Sequence, residues 1–322
     1  MKEMNWGIIG CGDVTEVKSG PALQNVYGSN LVAVMRRNGK LAEDYAHRHN
    51  VKKWYDNANA LINDPEVNGV YIATPPSSHK EYTLAVAEAG KIVYVEKPMA
   101  LNYTECLEML NICEKNNVPL FVAYYRRALP RFLKVKSLID DGVLGKVRFV
   151  NSILYKKPQA HDIEGIYHWR VDPEIAGGGY FFDLAPHTID IFHYYFGDVK
   201  TVKGYYSNQM KLYNAEDLVS AILIFKNDVH AICAWNFNAY DDLDRIEIIC
   251  EKGKITFSMF DNNPILLEIK DGIQKFDIDN PTHIQQPLIQ TIIDELNDYG
   301  KCPSTGSSGS KINLIMDEIF KC

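Results

Sequence analysis

Gly10-Cys11-Gly12-Asp13-Val14-Thr15 follows directly on a short apolar strand, Asn5–Gly10. Few architectures use that junction. A first glycine permits a tight turn. A second lets a pyrophosphate come close to the backbone where a helix begins. The rest of the first third gives the junction its context. Strand-like runs at Leu31–Met35, Gly69–Thr74, Ile92–Glu96 and Leu120–Ala123 take turns with helix-like stretches at Leu41–His49, Ser78–Ala89 and Tyr103–Asn116. Strand and helix in alternation build a doubly wound parallel sheet with helices on both faces. The first third therefore reads as an α/β dinucleotide-binding domain, with Gly10, Gly12, Asp13 and Val14 at the pyrophosphate. Thr15 stands where a third glycine or alanine is usual, which sets helix and strand slightly farther apart. A glycine turn that is only a turn is the alternative.

The second strand ends in Met35-Arg36-Arg37-Asn38. An acidic residue there would accept hydrogen bonds from the adenosine ribose hydroxyls. Arg36 and Arg37 cannot accept them, but guanidinium groups hold a 2′-phosphate by charge-assisted forks. This favours NADP(H) over NAD(H); two solvated arginines are the plainer reading. The strand Ile92–Glu96 runs into Glu96-Lys97-Pro98. Ligands of open α/β sheets sit outside the carboxyl ends of the strands, so Lys97 is placed near a nicotinamide ring. There it can polarise a carbonyl or ease loss of an alcohol proton. A surface lysine at a strand end is the alternative.

After Tyr124 the texture changes. One helix is expected at Pro130–Asp141, then strands at Val147–Tyr155, Val199–Tyr206, Leu218–Phe225, Val229–Asn238, Arg245–Cys250, Lys254–Phe257 and Ile265–Ile269. Lys226-Asn227-Asp228, Glu251-Lys252-Gly253 and Asp271-Gly272 are tight-turn signals, so the sheet reads as mostly antiparallel. Helices at Leu288–Tyr299 and Ser310–Phe320 close the chain, with Ser304–Ser310 as a loop and cap into the last one. The expected division is 1–123 and 124–322. An inserted helix, Phe182–Phe196, follows the run Gly177-Gly178-Gly179. It puts Asp183 and His187 four residues apart on one face, with Asp190 three further on. A carboxylate one turn from a histidine can orient it. A helix cap and a structural histidine are the alternatives. A metal site from Asp183, His187, Asp190 and His193 lacks a zinc-type open pattern, and no metal is expected.

The 322 residues suit about two domains. Net charge is −7, which argues against a general basic surface for nucleic acid. No apolar run approaches the roughly 18 residues of a membrane span, and the N-terminus does not read as a signal peptide. Seven cysteines, Cys11, Cys106, Cys113, Cys233, Cys250, Cys302 and Cys322, include no C-x-x-C pair. They read as buried or unbridged thiols in a reducing, cytoplasmic setting.

The glycine turn, Glu96-Lys97-Pro98 and the stretch from Gly177-Gly178-Gly179 through Asp183 and His187 together resemble the glucose–fructose oxidoreductase / inositol dehydrogenase / MocA family, over essentially the whole chain. The resemblance implies a Rossmann domain followed by an α+β domain with a mostly antiparallel, open-faced sheet. It implies hydride transfer between NAD(P) and a sugar, polyol or related hydroxy or carbonyl compound, and a homodimer or homotetramer formed through the C-terminal sheet. Lys97, Asp183 and His187 match the family's catalytic trio. Thr74, Pro75 and His79 match a loop bordering the cofactor, and Tyr125-Arg126 and Trp169-Arg170 match stretches facing nicotinamide and substrate. Two other classes stay open: a non-catalytic cofactor-binding regulator, and a glycosidase that borrows a nicotinamide and returns the hydride.

Overall fold

The computed structural model describes residues 3–321; Met1, Lys2 and the seventh cysteine, Cys322, lie outside the described residues. The chain divides into two compact units, Met1–Leu129 with Pro281–Asn313, and Pro130–Asn280 with Leu314–Cys322. This differs from a single cut after residue 123, because the chain returns to the first unit late. The cause is local. The helix Gln286–Leu296 buries Leu288, Ile289, Ile292 and Ile293 along one stripe, and such a stripe has to be covered by a core.

The first unit holds six strands: β1 (Met4–Ile9), β2 (Ser29–Met35), β3 (Lys53–Tyr55), β4 (Gly69–Ile72), β5 (Ile92–Val95) and β6 (Leu120–Val122). They lie in the order β3-β2-β1-β4-β5-β6, and every neighbouring pair is parallel. The order reverses beside β1, which is where open α/β sheets bind ligands. β4 is buried throughout, as its near-continuous apolar run requires. β3 has three half-exposed or exposed residues and no periodicity that announces it.

The second unit holds eight strands: β7 (Val147–Tyr155), β8 (Val199–Ser207), β9 (Leu218–Phe225), β10 (His230–Asn236), β11 (Leu243–Cys250), β12 (Gly253–Phe257), β13 (Ile265–Ile269) and β14 (Gly272–Phe276). Their order is β14-β13-β12-β11-β7-β10-β9-β8. All pairs are antiparallel except β7 with β10, which is parallel. Alternation decides the faces. Val219, Ala221, Leu223, Phe225, Ala231, Cys233 and Trp235 are buried. They face the helix Tyr180–Phe196, where Phe181 meets Trp235 edge-on at 5.1 Å and Phe196 meets Phe225 at 5.3 Å. The opposite face carries Tyr205, Ile222, Ile232 and Ile249, all exposed.

The final helix corrects the sequence reading. It runs Gly306–Ile319, so most of the serine–glycine stretch read as a loop is helical. Thr305 and Ser308 start it: the Ser308 amide donates to Thr305 Oγ1 at 3.3 Å and the Thr305 amide to Ser308 Oγ at 3.0 Å. The glycines are there for packing. A Cβ on Gly306 would fall 2.7 Å from Leu120 Cδ2, and one on Gly309 2.6 Å from Val122 Cγ2.

Candidate active site

Gly10 adopts φ +92°, a conformation that L side chains avoid. A Cβ there would also stand 2.8 Å from Thr74 Cγ2. The Gly10 and Cys11 amides both donate to the Met35 carbonyl, at 2.9 and 3.2 Å, which pins the turn to the end of β2. Gly12 differs. A Cβ there would meet nothing closer than the Gly10 carbonyl at 3.9 Å. Open space beside an exposed backbone is what a pyrophosphate needs, so the turn fits a dinucleotide. Thr15 is fully buried, and its hydroxyl donates to the Gly12 carbonyl at 2.7 Å. A five-residue π-helix, Thr15–Ser19, comes before the α-helix Gly20–Asn25. The wider π turn suits a side chain where glycine is usual.

Arg36 and Arg37 are exposed just beyond β2, and Arg36 Nη1 lies 3.5 Å from the Cys11 carbonyl. One guanidinium therefore reaches across the glycine turn. Burial pushes the Cys11 thiol up to about 11, so it stays protonated beside that charge.

His79, in the loop that the resemblance sets beside the cofactor, is fully buried. Its Nε2 lies 2.8 Å from the Thr74 carbonyl and its Nδ1 3.0 Å from the Pro98 carbonyl. It braces the loop after β4 against the loop after β5. Burial, the dominant influence, holds its pKa below the ordinary histidine value. Thr74 is tied in turn by Ser78, whose hydroxyl donates to Thr74 Oγ1 at 2.7 Å, and Pro75 leads into a short 3-10 turn. Glu96 is buried, while Lys97 is half-buried at the carboxyl end of β5. Arg126 is buried, with Nη1 donating to the Tyr125 hydroxyl at 3.0 Å.

In the second unit the helix begins at Tyr180, two residues earlier than the sequence suggests. Asp183 and His187 both lie on it, one turn apart, and His187 is buried with Phe260 edge-on at 6.0 Å. Asp190 is buried as well. Arg170 sits over the Trp169 ring, 4.5 Å from its centroid, and its Nε lies 3.3 Å from Asp183 Oδ2. The structure thus brings Arg170 to the candidate catalytic carboxylate, a pairing that no local pattern announces. A cavity of about 330 Å³ opens beside Asp183, with Lys156, Gln159, Tyr180, Phe237 and Asp242 in its lining.

Glu216 was not visible from the sequence either. Buried at 7% exposure, it accepts from the Gly179 amide at 2.8 Å. No side chain of Gly179 can cap this helix, so a carboxylate from a distant loop meets its N-terminal end. Burial pushes the Glu216 carboxyl up to about 7. Among the described residues, no group of three or more His, Cys, Asp or Glu side chains is placed to hold a metal ion.

A doubly wound sheet with an open glycine turn, and a second sheet carrying a helix with Asp183 and His187 one turn apart, are features that a dinucleotide-dependent oxidoreductase would need. Comparison with known proteins gives the family. The chain belongs to the GFO/IDH/MocA oxidoreductases: residues 4–124 match the NAD-binding Rossmann fold of that family and residues 132–256 its C-terminal domain. It is 42% identical over 315 residues to oxidoreductase P35 of Formosa agariphila, covering 98% of this chain and 97% of the relative. It is 26% identical over 277 residues to myo-inositol 2-dehydrogenase of Thermotoga maritima, covering 84% and 79%. A levoglucosan dehydrogenase solved with NADH and levoglucosan has the same fold, with TM-score 0.87 at 22% identity over 99% of this chain and 97% of that one.

Proposed function

We propose that the chain transfers a hydride between a nicotinamide dinucleotide, NADP(H) in preference to NAD(H), and a carbinol or carbonyl carbon of a sugar or polyol. The observation that carries the reading is the helix Tyr180–Phe196, which presents Asp183 and His187 one turn apart in a member of an oxidoreductase family. Relatives named for levoglucosan and myo-inositol support a polyhydroxylated substrate. When bound, the nicotinamide takes or gives the hydride. The chain manages the proton. His187 removes it from the carbinol oxygen during oxidation and returns it during reduction. Lys97 stabilises negative charge on that oxygen, and Asp183 orients a substrate hydroxyl or His187. Thr74, Pro75, Arg126, Trp169 and Arg170 border the cofactor.

The reach of Arg36 toward the glycine turn supports the cofactor preference, since a guanidinium there can fork a 2′-phosphate. The exposed Tyr205, Ile222, Ile232 and Ile249 on the outer face of the second sheet support a homodimer or homotetramer, and the buried, unbridged thiols suit a cytoplasmic setting. No helix among the described residues is long and apolar enough to cross a membrane.

The test is a panel of sugars, polyols and hydroxy acids with NADP+ and NAD+, read at the absorbance of the reduced nicotinamide. Turnover is expected with at least one sugar or polyol. Lys97→Met and His187→Asn should each cost about 100-fold or more in kcat and leave dinucleotide binding in place. Arg36→Asp should weaken NADPH binding by about tenfold or more, as loss of a charge-assisted bond does, and spare NADH. Dinucleotide binding with no turnover on any substrate would favour a regulator. Glycoside cleavage without net cofactor reduction would favour the glycosidase reading.

A further inference from the structure

We propose that Gln285 is a positioning residue for Lys97, and that His283-Ile284-Gln285 clasps the lysine strand to the segment just past the glycine turn. The proposal rests on the reading of Lys97 as a catalytic group.

Gln285 is fully buried. A buried amide is tolerated only when its polar atoms are matched, and here they are matched by groups leading to the lysine. Its Nε2 donates to Glu96 Oε1 at 2.7 Å, and its Oε1 accepts from the Tyr94 hydroxyl at 2.7 Å. The same Glu96 oxygen accepts from the Tyr71 hydroxyl at 2.5 Å. The other, Oε2, accepts from the main-chain amide of Lys97 at 3.1 Å. A carboxylate is planar, so fixing one oxygen aims the other. Gln285 and Tyr71 hold Oε1, and Oε2 is thereby aimed at the backbone of Lys97. Burial first, and the Glu96 charge second, raise the Tyr71 and Tyr94 hydroxyls well above their ordinary range. Both therefore remain donors at working pH.

Gln285 and His283 also bond to the segment just past the glycine turn. The Gln285 amide donates to the Lys18 carbonyl at 3.2 Å, and His283 Nδ1 lies 2.7 Å from the Val17 carbonyl. Val17 and Lys18 belong to the π-helix Thr15–Ser19, which begins where the glycine turn ends. One short segment is thus bonded both to the helix that opens beyond the dinucleotide turn and to the carboxylate behind Lys97. Gln285 and Glu96 are 189 residues apart in the chain, and a residue that merely filled the core could be apolar.

The experiment uses Gln285→Met, of similar length but with no donor, and Tyr71→Phe, which removes the second donor to the same oxygen. Both are made in the full chain on the best substrate of the panel. The readouts are kcat, substrate KM, NADPH affinity by fluorescence, and thermal stability. A positioning role predicts that each variant loses about tenfold in kcat while KM and NADPH affinity stay within about threefold, the signature of an interaction needed only in the transition state. Placed on Lys97→Met, Gln285→Met should cost little more, because both changes act through one group. Full kcat in Gln285→Met, or losses that multiply with that of Lys97→Met, would overturn the proposal. If Gln285→Met fails to fold, Tyr71→Phe decides alone. A Lys97→Met enzyme with undiminished kcat sinks the catalytic reading and this proposal with it. An impaired Lys97→Met beside a fully active Gln285→Met sinks only the proposal.

Discussion

Gly12 and the pair Gly178-Gly179 stand before their helices for opposite physical reasons. In the first unit, a side chain on Gly12 would stand in open space, where the proposed dinucleotide would lie. In the second, side chains on Gly178 and Gly179 would strike groups already present. A Cβ on Gly178 would lie 2.3 Å from Phe182 Cδ2, and one on Gly179 2.5 Å from the Glu216 carbonyl. Packing therefore explains glycine at 178 and 179 but not at 12, where the proposed dinucleotide supplies the reason. In a printed sequence both are simply glycines before a helix.

That contrast can be broken by substitution. The largest loss of stability is expected from Gly179→Ala, because the obstacle is backbone and cannot swing aside. It should cost about 3 kcal/mol in a urea melt, and it should lower kcat by disturbing the start of the helix that bears Asp183 and His187. Gly178→Ala meets a ring that can turn, and should cost less. Equal effects at the two positions would mean that the loop carrying Glu216 yields as easily as the ring.

The next effect in size concerns Glu216 itself. Its carboxyl is raised to about 7 by burial, so the folded chain holds this proton more tightly than the unfolded chain does. Stability from that proton is complete below about pH 4.5, the ordinary glutamate range, and is lost as pH rises toward 7. Glu216→Gln should remove that slope. It should leave the protein on the order of 1–3 kcal/mol more stable than wild type at pH 8, and little changed at pH 4. Parallel stability curves for the two proteins would show that the carboxylate is well solvated or well paired, against its burial.

The smallest effect on stability should be that of Gly12→Ala, within about 0.5 kcal/mol. Its dinucleotide affinity should nevertheless fall by about tenfold or more, since the backbone can no longer be approached closely. A large loss of stability with binding retained would place Gly12 with Gly179, and the comparison would fail.

The sequence was informative where function follows from a local pattern. Strand–helix alternation predicted the parallel sheet, and four-residue spacing put Asp183 and His187 on one helical face. It was silent where the reason is tertiary. Gln285 and Glu216 reach their partners across 189 and 37 residues, and no short window contains such a pairing. The parallel contact of β7 with β10 follows from a crossover that turn residues do not encode. β3 and β14 are short or exposed, so neither needs the apolar alternation by which strands are recognised. The stretch Ser304–Ser310 has the composition of a flexible linker, yet Thr305 and Ser308 open a helix there, and its glycines stand where Leu120 and Val122 leave no room for a side chain. His79 adds a tertiary role that its sequence position does not show: it ties the loop after β4 to the Pro98 carbonyl in the loop after β5.

The buried thiols have a practical consequence. Cys11, Cys106, Cys113 and Cys302 lie in the first unit, and Cys233 and Cys250 in the second. None is more than 8% exposed. Burial raises the thiol pKa of Cys11, Cys113, Cys250 and Cys302 to about 11, and that of Cys233 higher still. A thiol-selective reagent reacts with the thiolate and must first reach it. It should therefore modify these positions only when the surrounding structure opens. Peptide-resolved labelling rates would then time the opening of each half of the chain separately, using clocks that the natural sequence already carries.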